Sequence, residues 1–338
     1  MVKVDLLVKY PPKITIIGGA GFVGTNFCQI LYDRNIPFEI IDLKRSWRFP
    51  EKSKIADVRN INSMRNAITG DVVVNLAAVH RDDIRDKLEY HRTNVGGAEN
   101  VAKVCSEKGI KKIVFTSSVA VYGFAEPGTG ENGAIRPFND YGKTKFEAEE
   151  KFREWQISSD NNLIIVRPTV IFGEGNRGNV YNLFKQIASG RFIMIGPGTN
   201  RKSMAYIGNV AAFLEKCIES DQKYAVYNYV DTPDLDMNTL VRQVRNILKD
   251  RDNVGWRLPL WVGLMLGRAA DGFTLMTGKN LPISAIRVKK FCASTVFSSA
   301  KEQIESFSPP FSLQEGIVRT LRSEFLSPSS EREIFYTE

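Results

Sequence analysis

Histidine is almost missing from this 338-residue chain, which has only His80 and His91, and cysteine is scarce. Cys28, Cys105, Cys217 and Cys292 lie far apart and form no C-x-x-C pair. These shortages argue against a metal site or a disulfide framework, and the thiols read as reduced groups of a cytoplasmic protein. No apolar run reaches the ~18 residues that span a bilayer. Residues 1–10 lack the apolar core of a secretion signal. Internal repeats and low-complexity tracts are absent, and no interleaving of aromatic and basic residues suggests nucleic acid. The net charge of +8 therefore reads either as a solvated basic surface or as attraction to phosphates or an anionic membrane face. The rest is ordinary globular composition, 43% apolar and 25% charged. The length fits one large or two closely joined domains.

The first organised stretch is a β-branched strand over 13–17, followed by Gly18-Gly19-Ala20-Gly21-Phe22-Val23-Gly24 and a helix over 25–33. A G-x-x-G-x-x-G run between strand and helix is a dinucleotide fingerprint. Its glycines allow a tight turn against a pyrophosphate, and the helix N-terminus offers free N–H groups. The next strand, 38–41, ends in Asp42, an acid placed to meet the ribose hydroxyls of NAD and to repel the extra phosphate of NADP, although Lys44 and Arg45 follow it. Asp57, before Val58, suits the adenine amino group or the cap of a helix over 61–68. A strand over 72–76 runs into Leu76-Ala77-Ala78, small residues against which a cofactor can lie. His80-Arg81-Asp82-Asp83 follows on a loop, with His80 either structural or in contact with substrate. A helix over 93–108 carries Asn94 near its start, as a polar cap or as a brace for the neighbouring strands.

A strand over 112–115 then opens into Thr116-Ser117-Ser118. Ligands of open α/β sheets bind beyond such carboxyl ends. Tyr141 and Lys145 stand four apart at the start of a helix running to about 155, so they share one face. An ammonium beside a phenol lowers the phenol pKa, and the Ser118 hydroxyl could hold a substrate oxygen against it. Between them, 126–139 reads as a surface flap containing Gly and Pro. A strand over 163–166 leads into Arg167-Pro168-Thr169-Val170. The alternation of strands and helices to this point predicts an α/β fold with a doubly wound parallel sheet, a Rossmann domain over 1–172. A smaller, interleaved α/β substrate domain is predicted over 173–338, with a strand near 226–230 returning to the sheet. The polar stretch 327–338 is expected to be mobile.

Together, Gly18 to Gly24, Asp42, Asp57-Val58, Asn75 to Ala78, Thr116 to Ser118, Tyr141-x-x-x-Lys145 and Arg167-Pro168 resemble the extended short-chain dehydrogenase/reductase superfamily, in its sugar epimerase/dehydratase branch. His80 to Asp83, Asn176 to Asn182, Lys202 to Tyr206 and Arg287 to Cys292 are similar to the bacterial 4-epimerases of N-acetylglucosaminyl-diphospho-undecaprenol. The resemblance implies NAD held by Gly18, Gly21, Phe22, Val23, Gly24, Asp42, Asp57, Val58, Leu76, Ala77, Ala78, Asn94, Thr116, Tyr141, Lys145, Pro168 and Val170. It implies catalysis by Ser118, Tyr141 and Lys145, and substrate contacts from His80, Ser118, Asn179, Lys202, Arg287, Lys289 and Thr295. The reaction so implied interconverts GlcNAc and GalNAc on undecaprenyl diphosphate through a 4-keto sugar, for surface polysaccharide (O-antigen) synthesis. Superfamily analogy adds a homodimer.

Two departures bear on the substrate. Tyr206-Ile207-Gly208-Asn209-Val210 stands where the sugar-nucleotide enzymes carry Tyr-Val-Asp-Asp-Val, and Lys202 stands where they carry Arg. Both favour a lipid in place of the nucleoside. A small Thr295 leaves room for an N-acetyl group. The remaining alternatives are a UDP-sugar epimerase, a sugar dehydratase, an NADP-dependent ketone reductase and a non-enzymatic NAD sensor. Ser118-Val119 lacks the Asp-Glu pair of many dehydratases, Asp42 opposes NADP, and the intact Ser118, Tyr141 and Lys145 oppose a mere sensor. Residues 258–267, the most apolar stretch, form either a core helix or a contact through Trp261, Leu264 and Met265 with the cytoplasmic face of the inner membrane. In the second case Lys279, Arg287, Lys289 and Lys290 would meet anionic lipids.

Overall fold

The computed structural model describes residues 11–81, 84, 86–277, 284–304, 307–328 and 333–337. Asp82, Asp83 and Lys279, named above, lie outside the described residues, as do residues 1–10. The β-branched, fully buried strand Ile14–Ile17 sits inside a seven-stranded sheet. Its spatial order is Tyr224–Tyr229, Asn162–Pro168, Lys112–Thr116, Val72–Asn75, Ile14–Ile17, Phe38–Asp42 and Ser53–Ile55. Every pair is parallel. Such strands are buried on both faces, which explains their continuous Val/Ile runs. The chain first builds outward from Ile14–Ile17 in one direction and then restarts at Val72–Asn75 in the other. The crevice at this reversal is where open α/β sheets bind ligands.

Helices cover both faces. On one, Phe22–Asp33 packs against Ile207–Glu219 and buries Phe27, Leu31, Val210, Phe213 and Leu214. On the other, Ile61–Ala67, Gly97–Glu107 and Asp140–Ser158 bury Met64, Val101, Phe152 and Trp155. The helix expected over 93–108 begins earlier, at Leu88–Tyr90, and passes through a π-type stretch, His91–Gly96, before becoming regular. Asn94 lies within that stretch and is buried.

A second sheet went unread in the sequence. Asp231–Asp236, Arg201–Tyr206 and Val170–Phe172 form it in that order, the first pair antiparallel and the second parallel. Acids and a proline in one strand and paired cations in the next conceal their alternation. Beneath it a third core gathers Phe172, Phe184, Val241 and Ile317. Helix Ile207–Glu219 returns to pack on the large sheet, and strand Tyr224–Tyr229 pairs with its strand Asn162–Pro168.

Two peripheral segments differ from expectation. Helix Leu260–Thr277 is no core helix, since only Gly263 and Gly267 are buried on it. Its partner, helix Ala285–Cys292, covers only that glycine side. Trp261 is 67% exposed, Met265 55% and Met276 89%. The tail expected to be mobile is docked over 333–337, because Phe335 finds the Phe22 ring at 5.6 Å and exchanges backbone hydrogen bonds with Gly175 and Arg177.

Candidate active site

Strand Lys112–Thr116 delivers Ser118 to the crevice, where it caps the short 3₁₀ turn Val119–Tyr122 by accepting from the Ala120 N–H at 3.1 Å. Helix Asp140–Ser158 is started by Asn139, whose side chain accepts from the Gly142 N–H at 2.9 Å. Gly142 is required there. A Cβ on it would lie 2.4 Å from the Ala120 carbonyl oxygen, so only glycine lets this helix seat against the turn that follows Ser118. The two elements thus place the Tyr141 hydroxyl in a hydrogen bond with Ser118.

The electrostatics depart from the expected phenolate. Burial pushes Tyr141 up to about 12, and the Ser118 hydrogen bond only partly opposes this. Lys145 does not lower it. Its ammonium donates to the Thr116 carbonyl at 2.5 Å and lies 4.2 Å from the centre of the Phe115 ring. Lys145 is itself pushed down to about 7 by burial, against the pull of Glu149. Glu149 is already taken by another cation. Arg167 grips it through Nε at 2.9 Å and Nη2 at 2.5 Å. Arg167 also donates to the Tyr122 hydroxyl at 2.7 Å, which in turn reaches Asn228 at 2.8 Å. This buried ion pair, with side chains 6% and 3% exposed, fixes the floor of the site and leaves Lys145 without a direct carboxylate. Burial thus favours the neutral form of both Tyr141 and Lys145.

The residues expected to hold a dinucleotide converge on the switch point. Gly18 adopts φ +81°, and a Cβ there would strike the Ala77 backbone at 2.7 Å, so the first turn lies directly against Leu76-Ala77. No side chain caps helix Phe22–Asp33 at Gly21, which leaves the first-turn N–H groups around Phe22, Val23 and Gly24 to a ligand. Asp42 ends its strand and accepts from the Ala20 and Leu43 N–H groups at 3.0 and 2.7 Å. The buried hydroxyls of Thr116 and Ser117 have no hydrogen-bond partner. Uncapped N–H groups, a carboxylate and orphaned hydroxyls along one crevice fit a dinucleotide.

Other candidates are occupied. Asn94 is a brace: it exchanges hydrogen bonds with the Val79 backbone at 2.8 and 3.0 Å and donates to Thr144 at 3.0 Å. Asp57 is clamped by Arg59 at 2.7 and 3.0 Å, and the cap of helix Ile61–Ala67 is Asn60, not Asp57. Val58 is core, with its carbonyl taken by Asn100. Pro168 ends a buried strand, and Val170 is 37% exposed.

On the substrate side, His80 stands on the rim, its imidazole pushed below its ordinary value by loss of hydration and by the nearby Lys145 and Arg81. Asn179 is exposed at the start of helix Asn179–Ala188. Thr295 is exposed and pairs through its backbone with the strand carrying Lys202. Lys202 itself is engaged. Its ammonium donates to the Lys290 and Ala293 carbonyls at 2.9 and 2.5 Å, capping helix Ala285–Cys292, and burial pushes it down to about 8. Arg287 and Lys289 are exposed on that helix. Asn209 is buried and binds Asp231 at 3.0 Å and the Phe311 backbone at 2.7 and 2.9 Å. An acid at position 209 would face Asp231, so packing accounts for Asn209 in place of the acid of the sugar-nucleotide pattern. Sequence reasoning missed Gly142, legible only as a glycine beside the tyrosine. It also missed Glu333 and Phe335, which gave no signal in a polar tail.

Known proteins match this arrangement. The model of the NAD dependent epimerase/dehydratase family matches residues 14–229. The N-acetyl-alpha-D-glucosaminyl-diphospho-ditrans,octacis-undecaprenol 4-epimerase of Escherichia coli O157:H7 is 44% identical, covering 96% of this chain and 99% of that one. The UDP-glucose 4-epimerase of Vibrio cholerae is 27% identical over 93% and 96%. The crystal structure of UDP-N-acetylglucosamine 4-epimerase from Bacillus cereus superposes with a TM-score of 0.72 at 16% identity, over 91% and 98%. The crevice, its Ser-Tyr-Lys constellation and these likenesses agree: the chain belongs to the NAD dependent epimerase/dehydratase family.

Proposed function

We propose that this protein inverts C4 of an N-acetylhexosamine carried on undecaprenyl diphosphate, interconverting the GlcNAc and GalNAc forms. The observation that carries the substrate assignment is the 44% identity, over nearly both full lengths, with the E. coli enzyme of that name. Bound NAD would supply hydride acceptance at C4 and hydride return to the opposite face. Tyr141 must first lose its own phenolic proton to solvent; as phenolate it receives the proton of the 4-hydroxyl and later gives it back to the 4-oxygen. Ser118, already hydrogen-bonded to Tyr141, holds that oxygen in line. Lys145 sits one helical turn from Tyr141, and it would favour the phenolate on turning its ammonium from the Thr116 carbonyl towards the phenol. Thr295 would lie beside the N-acetyl group, and the exposed cations of helix Ala285–Cys292 would meet the diphosphate.

A substrate with a polyprenyl tail stays in a bilayer, so the enzyme would work at the membrane surface. Supporting this, helix Leu260–Thr277 presents Trp261, Met265, Leu266 and Phe273 to solvent. It packs beside helix Ala285–Cys292, which carries Arg287, Lys289 and Lys290. Apolar side chains next to cations are the pattern of a peripheral contact with anionic lipid. Among the described residues no helix is long and apolar enough to cross a membrane. A UDP-linked sugar is the second reading. It is favoured by the 27% identity, over 93% of this chain, with the V. cholerae UDP-glucose 4-epimerase.

The deciding experiment offers purified enzyme UDP-GlcNAc in one tube and GlcNAc-diphospho-undecaprenol in anionic liposomes in another, and reads stereochemistry at C4. Turnover of the lipid-linked sugar alone is expected. Turnover of UDP-GlcNAc alone would reverse the order of the two readings.

A further inference from the structure

The segment Glu333–Thr337 straps the fingerprint helix to the loop that starts the smaller part of the fold. Phe335 packs on Phe22, the first residue of the fingerprint helix, at 5.6 Å between ring centres. Its N–H donates to the Gly175 carbonyl at 2.9 Å, and its carbonyl accepts from the Arg177 N–H at 2.8 Å. Thr337 donates to Asn176 at 2.7 Å. The same loop is held from the other side by Glu324, which accepts from the Gly175 N–H at 2.7 Å.

At the head of the strap, the Glu333 Oε1 meets the Lys44 ammonium at 3.2 Å, and Lys44 lies 5.9 Å from the Phe335 ring centre. Lys44 stands two residues beyond Asp42, at the carboxyl end of strand Phe38–Asp42 where the family's acid meets ribose. The Glu333 side chain is 16% exposed, and its Oε2 is buried with no hydrogen-bond partner. A buried carboxylate oxygen without a donor is costly unless something fills its need.

We propose that Glu333 is a second cofactor-selecting carboxylate, brought to the adenosine end of the NAD crevice by the C-terminal strap. It acts in two ways. It pairs with Lys44, the cation beside Asp42 that would otherwise attract the 2′-phosphate of NADP. Its second oxygen, buried and without a donor, adds uncompensated negative charge close to where that phosphate would sit. The inference rests on the family's use of NAD and deepens it. Asp42 alone leaves Lys44 unanswered, and the strap answers it from 289 residues away in sequence.

The test is nucleotide binding, not turnover. Protein stripped of nucleotide is titrated with NAD and NADP by calorimetry, as wild type, Glu333→Gln, Lys44→Ala/Glu333→Gln and Phe335→Ala, with thermal unfolding as a check on folding. Glu333→Gln should raise the NADP-to-NAD affinity ratio by about five- to ten-fold, the size expected for one partly exposed charge pair acting on a multiply charged phosphate. Removing Lys44 in the same chain should cancel most of that gain. Phe335→Ala should shift the ratio the same way and shorten retention of NAD through purification. An unchanged ratio in Glu333→Gln, with wild type binding NAD normally, overturns the proposal. Wild type that binds neither nucleotide would instead refute the cofactor assignment itself.

Discussion

Replacing Lys145 by methionine should make the nucleotide-free protein more stable while removing its activity. The amine is 2% exposed, and burial lowers its pKa from 10.5 to about 7. Between those values the unfolded chain holds a proton that the native chain has lost. Native stability therefore rises with pH through this window, by up to about 1.4 kcal/mol per pH unit, and the penalty for burying the amine is largest at and below pH 7. At pH 7 that penalty is roughly 4 kcal/mol. Methionine removes it but also forfeits the bond to the Thr116 carbonyl, about 1 kcal/mol, and the Phe115 contact, up to about 1 kcal/mol. A net gain of roughly 2 kcal/mol is expected at pH 7, fading towards zero by about pH 9. Urea unfolding of stripped wild type and Lys145→Met at pH 6, 7, 8 and 9 measures it. A variant less stable than wild type at pH 7, or a gain independent of pH, would refute the argument.

Three further outcomes are expected. Tyr141→Phe should abolish epimerisation, because it removes the proposed acceptor of the 4-hydroxyl proton, yet copurify with NAD; full activity would remove Tyr141 from its role. Gly142→Ala must push the Tyr141 helix off the Ala120 carbonyl, so kcat should fall by about ten- to a hundred-fold with KM nearly unchanged, as expected of an ångström-scale misplacement. Trp261→Glu with Met265→Glu should end co-sedimentation with anionic liposomes at low salt and leave any turnover of soluble UDP-sugar as it was; equal sedimentation of variant and wild type would discard the helix as the contact.

The large sheet was legible because parallel strands buried on both faces read as unbroken β-branched runs, as in Val72–Asn75 and Ile14–Ile17. The proposed catalytic pair was legible as a pair, since Ser118 follows such a strand and Tyr141 begins a helix, and the fold brings the two into a hydrogen bond. The second sheet was not legible. Arg201–Tyr206 and Asp231–Asp236 carry charged residues, and their register depends on partners far along the chain. Nor did the sequence expose the state of the Tyr141 pair. Four-residue spacing says that two side chains share a face, but not that Lys145 turns to Thr116 or that Arg167 takes both oxygens of Glu149. Capping roles such as that of Lys202 escape for the same reason, because their acceptors are carbonyls supplied by tertiary structure.

That role of Lys202 decides where the diphosphate grip should be sought. A cation already donating to two carbonyls at a helix C-terminus is stabilised where it is, and moving it to an anion would uncap helix Ala285–Cys292. Lys289 is exposed on the same helix and can turn to a phosphate without such a loss. Lys202→Met should therefore lower the unfolding temperature and disturb KM only through the loosened helix. Lys289→Met should raise KM several-fold with the unfolding temperature unchanged, the signature of lost ground-state binding. Steady-state kinetics on the lipid-linked sugar beside thermal unfolding separates the two. If Lys202→Met raises KM with no loss of stability while Lys289→Met leaves KM alone, then Lys202 leaves its cap to hold the diphosphate, and the helix must be held by something other than that ammonium.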